Sequence, residues 1–121
     1  ANSEHMRYEK HRVWMVEATL KSGSKHIYGK RVFFLDEDSW MILQEDCYDT
    51  RGDIWRVGIH GFIQVYDQGV PWYSIQMWHD LSNGNVLISH LDNEVKKPIE
   101  FGVKASWASF QTDALRRLGT R

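Results

Sequence analysis

Apolar and polar residues alternate along most of this chain, and polar, glycine-containing breaks interrupt the alternation at regular intervals. A period of two bounded by turn residues is the signature of half-buried strands joined by short connections. In residues 11–20, Trp14, Val16, Ala18 and Leu20 share one face. Val13, Met15, Glu17 and Thr19 share the other, so both faces are partly apolar. Lys21-Ser22-Gly23-Ser24 follows as a hairpin loop. A second strand is expected over 26–35. Its turn, Asp36-Glu37-Asp38-Ser39, places aspartates where their side chains bond their own backbone. A third strand is expected over 40–48, closed by Asp49-Thr50-Arg51-Gly52.

The fourth segment, 53–66, is the longest. Period-two counting puts Trp55, Val57, Ile59, Ile63 and Val65 on one face, with Arg56, His60 and Gln64 on the other. Gly58 and Gly61 interrupt it, and interior glycines mark bulges, bends or close backbone approach, so strong curvature is expected. Pro71 is expected to break the pattern before a fifth strand over 72–81. Asn83-Gly84 is the strongest hairpin signal, leading to a sixth strand over 86–91. A seventh short strand over 101–105 is expected. Then Thr112 reads as an N-cap, 113–118 as one short helix, and Gly119 as its stop.

These elements predict a mainly β fold: a curved antiparallel meander of about six or seven strands, half-barrel-like and incomplete, with one short C-terminal helix. Residues 1–121 read as a single domain, with 1–11 as a flexible lead-in.

Composition narrows the functional classes. Fifteen basic and sixteen acidic side chains leave a net charge of −1, without the footprint that nucleic acid or an anionic membrane demands. No apolar run reaches the roughly 20 residues of a transmembrane helix. The single cysteine, Cys47, allows no internal disulfide. Placed mid-strand, it reads as a structural thiol rather than a nucleophile. The six histidines form no H-x-x-x-H or H-x-H unit, so a zinc site is not expected. His79 and Asp80 are strand neighbours that point to opposite faces, which rules out a dyad between them. No Walker loop, G-x-G-x-x-G or G-x-S-x-G occurs, so neither a cofactor nor an enzyme is expected.

The six tryptophans, five tyrosines and five phenylalanines carry the functional expectation. One short helix cannot cover six strands, so exposed apolar surface is expected, and such surface marks interaction sites. Trp14, Phe33, Trp55, Ile63, Trp72 and Trp78 are the candidate lining of an apolar ligand surface.

The blocks beginning His11-Arg12-Val13-Trp14 and running through His26-Ile27-Tyr28-Gly29 to Ser39-Trp40 resemble a Gram-negative family of uncharacterised proteins. Trp55-Arg56, Val70-Pro71-Trp72-Tyr73 and the ending Phe110 to Gly119 fit it too, so the likeness covers residues 8–120. That family is often labelled outer-membrane lipoprotein-sorting protein, by similarity to the carriers LolA and LolB. The resemblance implies a curved, incomplete barrel with an apolar concave side, and a location in the periplasm or on the periplasmic face of the outer membrane. It implies that this chain is the C-terminal portion of a longer, secreted protein. It brings no catalytic residues. The expected role is non-enzymatic binding of lipid or lipoprotein acyl chains. The alternative is a structural domain docking onto an envelope protein such as a transporter. A homodimer through strand edges is a further expectation.

Overall fold

The computed structural model describes residues 2–96 and 99–119. Six strands form one antiparallel sheet in chain order: β1 (Val13–Thr19), β2 (Lys30–Asp36), β3 (Ile42–Tyr48), β4 (Ile54–Val65), β5 (Val70–Asp80) and β6 (Val86–Ser89). The sheet is open and does not close into a barrel. A 3-10 turn over Trp107–Phe110 precedes the helix α1 (Thr112–Gly119).

The turns form by the chemistry expected of them. Asp36 accepts hydrogen bonds from the Ser39 backbone N–H at 2.9 Å and the Ser39 hydroxyl at 2.6 Å. Asp49 accepts from the backbone N–H groups of Arg51 and Asp53 at 2.8 and 3.0 Å, fixing the β3–β4 turn. In the β5–β6 turn the Asn83 side chain accepts from the Asn85 N–H at 2.8 Å.

Three expectations are corrected. First, β5 begins at Val70 and includes Pro71, which pairs with Gln64. It is tolerated because β6 pairs only with Gln76 to His79, leaving this end of β5 as an edge, where a missing N–H costs little. Second, residues 101–105 form no strand. Gly102 has φ +67°, which breaks an extended run, and the Phe101 ring instead packs edge-on against Trp72 at 5.8 Å. Third, Thr112 is the first residue of α1 rather than the cap before it. Just ahead of β1, two contacts join the chain to the turn after β2. His11 Nδ1 lies 2.9 Å from Asp36 Oδ1, and Arg12 C=O accepts from the Glu37 N–H at 3.0 Å.

Register shifts fall between Phe34 and Leu35, between Cys47 and Tyr48, and between Gly61 and Phe62. Each adds a residue to one strand, which bends it and raises its twist. The tightly packed apolar positions are few: Val32, Cys47, Met77 and Ala114. Among the described elements, α1 packs against the Trp107–Phe110 turn and not against any strand. One layer of sheet therefore keeps much of both faces open.

Candidate functional site

Residues paired across strands share a face, and successive residues alternate between faces. The pairing therefore sorts the sheet into two surfaces. One carries the transverse row Val16, Phe33, Glu45, Gly58, Trp78 and Leu87, flanked by the row Ala18, Arg31, Cys47, Arg56 and Asp80. The other is more aliphatic, with the row Met15, Phe34, Gln44, Ile59, Met77 and Ile88.

The centre of the first face is a closely fitted polar–aromatic cluster. Trp78 Nε1 donates to Glu45 Oε1 at 2.7 Å. The contact passes over Gly58, which lies between the two residues in the row. A Cβ there would sit 2.6 Å from Glu45 Cγ and 3.0 Å from His60 Nε2. His60 stands edge-on to Tyr73 and Trp78, at ring separations of 5.9 and 5.4 Å. Its Nε2 is 4.0 Å from Glu45 Oε1, and its buried Nδ1 has no hydrogen-bond partner. Burial pushes the imidazole pKa down, partly offset by the Glu45 carboxylate, so the ring is held neutral.

A second cluster lies at the end of the same face. Trp55 is the residue skipped by the β3–β4 register, where Cys47 pairs with Arg56 and Tyr48 with Ile54. Its Nε1 donates to both Asp80 oxygens at 3.2 and 3.1 Å, which sets it on the Arg56 side of the strand. Arg56 Nε donates to Asp80 at 2.9 Å, its guanidinium lies 4.1 Å from the Trp55 ring centre, and its Nη1 donates to the Tyr28 hydroxyl at 3.0 Å. Hydrogen bonds from Ser82, then Arg56, overcome burial and bring Asp80 down to about 2. Trp55 also floors an open cleft of about 500 Å³ bounded by Ile27, Arg51, Ile54 and Leu81.

The six candidate lining residues divide between the faces. Trp14, Phe33, Trp55 and Trp78 lie on the first. Trp14 is 54% exposed, and Phe33 lies under the Arg31 guanidinium at 5.1 Å. Ile63 and Trp72 pair with each other on the opposite side, where Trp72 meets Phe101. Sequence reading did not place Glu45, His60, Arg56 or Asp80 among the site residues. The available signal was Gly58-Ile59-His60-Gly61, a histidine between two glycines inside a strand. His79 and Asp80 do point apart: Asp80 pairs with Arg56, while His79 pairs with Val57. Cys47 is 2% exposed, and burial followed by Glu45 raises its thiol to about 11, which removes nucleophilic character.

Among the described residues, no cluster of three or more His, Cys, Asp or Glu side chains is placed to hold a metal. No described helix is long and apolar enough to cross a membrane.

The fold is shared with part of a solved chain from Vibrio parahaemolyticus named as an outer membrane lipoprotein-sorting protein domain. The two superpose with a TM-score of 0.59 at 16% identity, over 87% of this chain and 42% of that one. The chain belongs to the family described as protein of unknown function (DUF1329), whose model matches residues 1–116. Uncharacterized protein PA3922 of Pseudomonas aeruginosa is 45% identical over 120 residues, 99% of this chain. The chain spans 26% of that relative's length. The family resemblance and the predicted mainly β fold are both borne out.

Proposed function

We propose that this chain is a non-enzymatic binding domain of the bacterial cell envelope that holds acyl chains of lipids or lipoproteins on its Trp78 face. One observation carries the reading. Trp14, Val16 and Phe33 on one side of the Glu45–Gly58 centre, and Trp78 and Leu87 on the other, give this face two apolar flanks, and no described helix packs on it. Uncovered apolar surface with a few convergent polar groups is the usual form of a site for apolar ligands. The Vibrio neighbour's name supports an envelope setting, in the periplasm or on the periplasmic face of the outer membrane. In the longer relative, the rest of the polypeptide is available to complete the cavity. Trp55 would extend this surface toward the Arg56–Asp80 cluster, while Ile63 and Trp72 would seat the Phe101 segment from the opposite side.

Native mass spectrometry of the purified chain, followed by titration with a fluorescent fatty acid, tests this. Co-purified lipid in the wild type and weaker fatty-acid binding in Trp14→Ala, at unchanged stability, are expected. Affinities equal to wild type in both Trp14→Ala and Phe33→Ala would rule this face out.

A second reading, a domain that docks onto an envelope protein, is favoured by the outer edge of β1, which pairs with no described strand. Envelope extracts that yield nothing on the immobilised chain would remove it.

A further inference from the structure

We propose that β1 is a self-pairing edge, on which a second copy of this chain adds its own β1 antiparallel, with the two-fold axis at Val16. The inference goes beyond ligand binding and stands independently of it.

β1 is the outermost strand, and all seven of its residues are exposed. Backbone bonds from Leu20 N–H to Gly29 C=O and from Glu37 N–H to Arg12 C=O turn the even-numbered residues toward β2. By alternation, the N–H and C=O groups of Val13, Met15, Glu17 and Thr19 point outward, where no described strand meets them. Natural edges are blunted by shortness, proline or lysine. β6 has four residues, and the free end of β5 carries Pro71. β1 has seven residues without proline or lysine, and Glu17 is its single charge.

The sequence of β1 also selects a register. Outward groups must face outward groups, so the axis falls on a residue rather than between two. An axis at Glu17 opposes two like carboxylates, which is destabilising. An axis at Met15 leaves Thr19 without a partner. An axis at Val16 pairs Val13 with Thr19 and Met15 with Glu17 in both directions, satisfying every outward group. On the Trp78 face it sets Trp14 against Ala18 and Val16 against itself, large against small. Each Glu17 keeps Lys30 of its own chain, at 3.3 Å. Two bonds in each of the four pairs reach the range of about 10 hydrogen bonds found in specific interfaces.

Sedimentation equilibrium of the 121-residue chain is the test. The wild type is expected to dimerise reversibly. Met15→Pro removes an outward N–H and leaves the β2 side untouched, so it should sediment as a monomer with unchanged circular dichroism. Val16→Cys places like residues opposite each other on the axis and should oxidise to a covalent dimer, whereas Ala18→Cys should not. A wild type that stays monomeric throughout, or a Met15→Pro variant that dimerises as well as wild type, overturns the proposal. A monomer would leave this edge to a strand from elsewhere in a longer polypeptide. Cross-linking by Ala18→Cys in place of Val16→Cys overturns the register.

Discussion

Trp78 and Glu45 are joined across the middle of the sheet by a 2.7 Å hydrogen bond from indole to carboxylate, directly over Gly58. Glycine is needed there for space rather than for backbone freedom. The 2.6 Å clash of a new Cβ is with Glu45 Cγ, close to the Glu45 backbone, so a swing of the carboxylate alone does not relieve it. Gly58→Ala should therefore cost about 1–3 kcal/mol, the usual range for overpacking, despite alanine's lower backbone entropy. Urea denaturation measures it, and an unchanged midpoint would mean that the cluster is loosely packed.

The same bond separates two substitutions at Glu45. Glu45→Gln retains an acceptor for the indole and should be close to neutral in stability. Glu45→Ala strands a half-buried indole N–H and should cost about 1–3 kcal/mol. Equal losses in both variants would show that the indole hydrogen bond is not what makes Glu45 matter.

How far this arrangement could be foreseen depends on the distance over which each contact acts. The six strands were legible because alternation and turn chemistry are local: Asp36, Asp49 and Asn83 each bond their own turn. The bulges in the β2–β3 and β3–β4 pairings were not legible, since an extra residue leaves the hydrophobic pattern almost unchanged, whereas the one in the β4–β5 pairing falls at Gly61, a glycine that marked the strand. Period-two counting put Trp55 with Val57, whereas the skipped position in β4 turns it toward Arg56 and Asp80. The site itself joins residues far apart in sequence. Glu45 and Trp78 sit on strands that never pair with each other, and only the register of β4 between them brings the two together. Gly58 was visible as a signal for curvature, but its neighbours were not.

Cys47 gives a chemical test of the packed centre. With its thiol raised to about 11 and the side chain almost wholly covered, the native protein should not react with a disulfide reagent at mildly alkaline pH. The thiol should become reactive along the same urea curve that reports unfolding by tryptophan fluorescence. Rapid labelling of the native protein would show that the β2–β3–β4 region opens locally, well below the global transition.

The two clusters on the Trp78 face should respond to acid in separate windows. His60 has a folded pKa below its ordinary 6.5, chiefly through burial, so the unfolded chain takes up the proton first. The stability that neutral His60 contributes is present above pH 6.5 and is lost as pH falls from there toward the folded value. Asp80 has a folded value of about 2 against an ordinary 3.8, set first by Ser82 and then by Arg56. Its contribution is present above 3.8 and is lost only as pH falls toward 2. Urea midpoints measured from pH 8 downward should therefore decline first just below 6.5 and again below 4. His60→Gln should remove the first decline and leave the second, because a glutamine has no proton to take up. Asp80→Asn should leave the first decline and shrink the second without abolishing it, because Asp36 and Asp49 are also held below their ordinary 3.8 and lose stability in the same window. A first decline that persists unchanged in His60→Gln would show that His60 is not its cause.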